Sequence, residues 1–155
     1  MPATVTVVGC GLSGEFAVSL ATHHYFAGDA LIELHGAESA ATAEIERALD
    51  LYEAGPRPGE QHGYGVKALT RIYLATARLR SGALDTASAA LEPVLTLPSG
   101  QRISPLSNRI KLVRTELAAP IFARSPAARE LDERIEEFTS DSVTAGLHAL
   151  PTGPA

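Results

Sequence analysis

The sequence predicts an all-α fold: three antiparallel helical hairpins stacked into an array. Three observations carry that prediction. After residue 13, apolar residues recur at helical three- and four-residue steps almost throughout. Ala and Leu supply most of the apolar surface, aromatic residues make up only 5% and Trp is absent, a composition suited to close-packed helices. Two segments of similar pattern, each opening at a glycine turn, recur 46 residues apart.

The elements follow in order. "SGEFAVSLATHHYFAGDALIELHG" (13–36) places Phe16, Leu20, Tyr25 and Leu31 at helical steps. Ser13 is the expected N-cap, Glu15 suits the first-turn dipole and Gly36 ends the helix. The next helix, about 39–54, sets Ala41, Ile45, Ala48, Leu49 and Tyr52 on one side against Glu44, Glu46 and Asp50 on the other. "GPRPGEQHGYG" (55–65) reads as a loop from its four Gly and two Pro. A third helix is expected over about 64–80 and a fourth over 84–95, with "SGALD" turning the chain between them and "LPSGQR" stopping the second. Ser104-Pro105 and Ser125-Pro126 each place a hydroxyl cap before a first-turn proline. The helices behind them carry Leu106, Ile110, Val113 and Leu117, then Leu131, Ile135 and Phe138. The domain is expected over 14–140, between a flexible leader (1–13) and a frayed tail (141–155).

The repeat is explicit when the first two pairs are aligned on their turns. Gly36, Ala41, Ile45 and Ala48 match Gly82, Ala87, Leu91 and Val94: Gly-x4-Ala-x3-(large apolar)-x2-(smaller apolar). The pattern resembles the turn and second helix of a tetratricopeptide repeat, lengthened by the loop at 55–65. The small Ala lets two helices approach, and the larger residue one turn on fills the groove between them. The first helices match less well: Tyr25 and Gly28 stand near the aromatic and small positions, and Arg71 and Ala75 are only partly equivalent.

A wider resemblance runs through "SGEF", "HHYFAGDALIEL", "HGAESA", "RALDLYEAGP", "HGYGVKALTRIYLATARLRSGALDTASAALEPVLTLPSGQRI" and "RSPAARELDERIEEF". Taken in order, these segments look like the C-terminal, tetratricopeptide-like region of actinobacterial helix-turn-helix (XRE-type) transcriptional regulators, from Gly14 to Thr139. Such regulators carry an N-terminal DNA-binding domain and further repeats, neither of which is seen here. The resemblance therefore implies the end of a sensor or assembly half, without direct nucleic-acid binding.

Other chemistries fit less well. Gly9, Gly11 and Gly14 after "TVTVV" have the G-x-G-x-x-G spacing of a dinucleotide site. Asp29 and Glu33 stand near the distance of the ribose-binding acid, but inside a helical stretch, and one strand makes no parallel sheet. "VVGC" mimics a lipobox, but no base precedes Arg47 and the apolar run is too short for a signal peptide. The single Cys10 excludes an internal disulfide framework and points to a reducing, cytoplasmic setting; no basic group lies near it to make a reactive thiolate. His23 and His24 diverge by about 100° on a helix, and His24 and His35 lie about 16 Å apart, so no metal is expected from these, His62 or His148. No G-x-S-x-G occurs, and the acids of the last helix read as solvated surface. "SNRIKLVRTE" resembles a recognition helix, yet Ile110, Val113 and Leu117 give it an ordinary buried stripe. The net charge of −5 is unevenly spread: residues 1–54 hold eight acids and one base, while Arg57 to Arg124 spans ten bases and four acids. That asymmetry suits two solvated faces of opposite sign, head-to-tail self-association, or an anionic partner.

The expected function is non-enzymatic, with no cofactor and no membrane partner. In a tetratricopeptide-like array the first helix of each pair lines the concave face. The alignment places His23, Phe26, Ala30, Glu33, Leu69, Ile72 and Arg80 there, with His24, Tyr25 and Arg71 nearby, unless the third pair folds over and buries them. A protein or peptide partner or a homo-oligomer is expected, with a small-molecule receptor of the same fold as the alternative. A nucleotide-binding enzyme using the three leading glycines is the remaining one.

Overall fold

The computed structural model describes residues 19–148, with side chains as far as Asp141. The described residues form six α-helices and two short 3₁₀ turns, and contain no strand. The leader, Cys10 and the three leading glycines lie outside them, as do residues 149–155.

Helix α1 (Leu20–Ile32) begins later than the sequence suggests. Its cap is Ser19, whose hydroxyl accepts from the Thr22 amide at 3.1 Å, a local bond that fixes the first turn; Ser13, the expected cap, lies outside the described residues. The chain reverses through Gly36 (φ +84°) into α2 (Glu38–Glu53). The stripe expected there, Ala41, Ile45, Ala48, Leu49 and Tyr52, is buried throughout. The approach of α1 to α2 depends on Gly28: a Cβ at that position would stand 2.4 Å from Ile45 Cγ1. Only a residue without a side chain lets the two backbones come this close.

Helix α3 (Tyr64–Arg80) and α4 (Leu84–Leu95) keep their expected bounds and join through Gly82 (φ +78°). α3 packs against α1, α2, α4 and α5, and every residue from Ile72 to Ala77 is buried. Its buried hydroxyls are satisfied within the helix: Thr70 donates to the Val66 carbonyl at 2.7 Å and Thr76 to that of Ile72 at 2.9 Å.

A 3₁₀ turn (Ser99–Gln101) leads to α5 (Ser104–Leu117). Ser104 is not its cap. It is the first helical residue, Ile103 stands outside, and no side-chain bond closes that end. Pro105 needs no amide partner in this first turn, so the start tolerates the missing cap. After a second 3₁₀ turn (Pro120–Phe122), α6 (Pro126–His148) starts as expected, with Ser125 Oγ accepting from the Ala128 amide at 3.2 Å. Side chains from all six helices share one apolar core. Ala21, Ala48 and Tyr52 form a small cluster beside it.

Candidate functional site

α1, α3 and α5 each present a second face besides the one that enters the core. On α1 it carries Thr22, Tyr25, Phe26 and Asp29; on α3, Val66 and Leu69, bordered by Tyr73, which is itself a core residue; on α5, Pro105, Asn108, Arg109 and Leu112. The spacing in each case is that of one helical face. α3 touches both α1 and α5, so these faces adjoin.

Tyr25 and Tyr73 meet edge to face with ring centroids 5.3 Å apart, and Phe26 sets its ring against Tyr25 at the same separation. The Arg109 guanidinium lies 4.7 Å above the Tyr73 ring, and its Nη2 is 3.8 Å from Asp29 Oδ1. Burial, reinforced by Tyr25 and Asp29, pushes the Tyr73 phenol far above the usual tyrosine range. Burial also raises Tyr25, partly offset by the neighbouring Tyr73 side chain. Both phenols are therefore neutral at ordinary pH; the Tyr73 ring is buried, and Tyr25 is the more accessible of the two.

Two depressions flank Tyr25 and Leu69. One, of about 450 Å³, runs over Tyr73, Pro105, Arg109 and Leu112. The other, of about 310 Å³, is walled by Phe26, Tyr52, Val66 and His62. Phe26 is 59% exposed and Leu112 42%, so each depression has an accessible apolar rim.

The residues expected on the concave face do not all gather here. Tyr25, Phe26 and Leu69 do. Ile72 is in the core, held there because α3 is covered on nearly every side. His24 turns to α2, where Nδ1 lies 2.6 Å from Glu44 Oε2, and Arg71 pairs with Glu53 at the end of α2. His23 and Ala30 are exposed. Glu33 and Arg80 belong to a separate cleft of about 540 Å³ at the C-terminal ends of α1, α3 and α5. There Arg80 donates to the Ile32 carbonyl and to Glu116 Oε1, the latter at 2.8 Å.

The sequence did not join Tyr73, Asp29 and Arg109 at one site: Asp29 was weighed only as a ribose-binding acid, and Arg109 only as a base of the segment "SNRIKLVRTE". The i, i+4 pairs Tyr25/Asp29 and Leu69/Tyr73 were the available signal. Arg109 offered none, because its partners lie on helices far away in the chain.

The charge asymmetry also resolves into contacts. Of the ten bases from Arg57 to Arg124, Arg71, Arg78, Arg80, Arg102, Arg109 and Arg114 each stand within ion-pair distance of an acid. Three of those acids, Asp29, Glu46 and Glu53, come from the acidic first third. In α5, Ile110, Val113 and Leu117 are buried, and Arg114 grips Asp132 of α6 through two bonds of 2.7 and 3.0 Å.

Among the described residues no group of three His, Cys, Asp or Glu could hold a metal ion, and no helix is long and apolar enough to cross a membrane. Compared with protein-family models, with curated proteins and with solved structures, the chain gives no significant match.

Proposed function

We propose that this chain is a binding module of tetratricopeptide-like type, without catalytic activity, that holds a protein or peptide on the surface shared by α1, α3 and α5. The observation that carries the proposal is the joining of Tyr25, Tyr73 and Arg109, from three alternate helices, beside exposed Phe26 and Leu112. Rings, an aliphatic rim and one guanidinium are the groups that anchor protein interfaces. Both depressions are open to solvent on a continuous face, which favours an extended or helical segment over an enclosed small molecule.

The repeat reading has its own support. Gly36 and Gly82 share the same left-handed turn conformation. The matched pairs Ala41/Ala87, Ile45/Leu91 and Ala48/Val94 are equally buried, at 1% exposure or less. Together with the resemblance of the sequence to the C-terminal half of helix-turn-helix regulators, this makes a sensor or assembly role in bacterial transcriptional control the reading of choice, in a cytoplasmic protein. A second copy of the chain is one candidate partner.

The test is selection of peptides from a displayed library on the full chain, followed by binding to Phe26→Asp and Leu112→Asp. Both positions are exposed, so the fold should persist while the selected peptides lose at least tenfold in affinity. Native mass spectrometry of the same variants reports on self-association. Peptides that bind both variants as well as the parent would place the interface elsewhere.

A further inference from the structure

Arg109 is a cation whose donors the fold leaves open. Its guanidinium lies 4.7 Å above the Tyr73 ring, and its side chain is 38% exposed. The carboxylate within ion-pair range of it, Asp29, stands 3.8 Å from Nη2, too far for a hydrogen bond. Arg114, further along the same helix, shows the contrast: its fork holds Asp132 through bonds of 2.7 and 3.0 Å. Arg109 keeps a planar set of N–H groups, steadied on an aromatic face, with no carboxylate at bonding distance among the described residues.

The surroundings indicate which acceptor fits. Of the described side chains that line the two depressions beside Tyr25, Arg109 alone carries a fixed charge. Asp29 approaches it from α1 but lines neither depression. The Tyr73 phenol is neutral and brings no second anion. A molecule lying across this face therefore meets one positive centre in an apolar frame of Leu69, Pro105 and Leu112. Asn108, exposed on the same side of α5, adds an amide able to bond a peptide backbone. The depressions lie on either side of Tyr25 and Leu69, so a chain held at Arg109 has surface on which to run on. That favours an acidic side chain within the peptide over a terminal carboxylate.

We infer that Arg109 determines the specificity of this surface by receiving the carboxylate of an internal Asp or Glu of the bound peptide, with apolar peptide residues on either side. The arriving carboxylate replaces a loose contact and no formed bond. An exposed ion pair without hydrogen bonds is weak, whereas two parallel bonds from one guanidinium to one carboxylate are among the strongest that side chains make. Asp29 competes with the peptide for the same cation. The inference rests on the reading of this surface as a peptide-binding face and names the class of peptide it takes.

Three synthetic pools of heptapeptides are equilibrated with the full chain, and retention is read by ultrafiltration and mass spectrometry. Flanking positions vary over Ala, Leu, Phe, Pro and Ser. The first pool has a central Glu and the second a central Gln, both with acetylated and amidated ends; the third has Gln and a free C-terminal carboxylate. The Glu pool is expected to bind about tenfold more tightly than the Gln pool, a preference of ~1.4 kcal/mol that shrinks as salt is raised. The third pool should behave as the second. Arg109→Gln should abolish the preference, while Arg109→Lys, a point charge without the fork, keeps part of it. Asp29→Asn should widen the preference because the competing acid is gone; this variant decides the matter if Arg109→Gln does not fold. Four results overturn the inference: equal binding of the first two pools, a third pool that matches the first, a preference that survives Arg109→Gln, or one that narrows in Asp29→Asn. Retention of no pool overturns it as well. Library-selected peptides that lose affinity in Phe26→Asp yet carry no acid would keep the binding surface and sink only this choice of ligand.

Discussion

Replacing Gly28 with Ala sets two effects of opposite sign against each other. Gly28 lies inside α1 with an ordinary helical backbone, so propensity alone favours Ala by about 1 kcal/mol. The new Cβ, however, would stand 2.4 Å from Ile45 Cγ1, 3.3 Å from Ile45 Cδ1 and 3.4 Å from the Ile45 amide nitrogen. Ile45 is fully buried, and its β-branched side chain is stiff at χ1. Relief therefore needs α1 and α2 to separate, and overpacking of this kind costs about 1–3 kcal/mol. The variant should lose up to about 2 kcal/mol in urea unfolding followed by circular dichroism at 222 nm. In an Ile45→Ala background the obstructing atoms are gone, and the same change should become neutral or stabilising, a coupling of about 2 kcal/mol. Gly28→Ala that stabilises the parent chain would refute the close approach of α1 to α2.

Three further outcomes follow from side-chain geometry. Arg134 binds Glu92 through two bonds of 2.9 and 3.0 Å and holds its carboxyl below the ordinary value of 4.5. A depressed carboxylate contributes stability above its unfolded pKa and loses it as pH falls through the folded one, so the melting advantage of the parent over Glu92→Gln should vanish in acid. Tyr73 should stay un-ionised in an alkaline titration at 295 nm until the chain unfolds, because its raised pKa links ionisation to loss of structure; Tyr73→Phe should lack that late step. Arg114→Lys should cost about 0.5–1 kcal/mol in urea unfolding, because a lysine cannot reproduce the two-pronged grip on Asp132, and the partial exposure of both residues keeps the loss small.

The sequence showed the helices more clearly than their neighbours. The stripe of α2, the bounds of α3 and α4 and the turns at Gly36 and Gly82 are local signals, set by periodicity and by the backbone freedom of glycine. The caps were less legible. Ser19, Ser104 and Ser125 are alike in type, yet Ser19 and Ser125 cap their helices while Ser104 is already inside its own. The site was least legible, because periodicity assigns a residue to a face without saying which helix that face will meet. His24 and Arg71 were expected near the concave face and instead reach α2, while Arg109, beside the buried stripe of α5, lies over Tyr73. His62 stood in a loop that composition alone marked as polar, with nothing to announce that its imidazole would be enclosed.

The placement of α3 has a consequence for how the molecule comes apart. Arrays of helical units ordinarily unzip from either end, each unit leaning only on the next. Here one helix touches four others, so that peeling away either flank strips cover from the same buried segment. The backbone amides between Ile72 and Ala77 should therefore be the last to exchange with heavy water, opening only when the entire molecule melts in a single step.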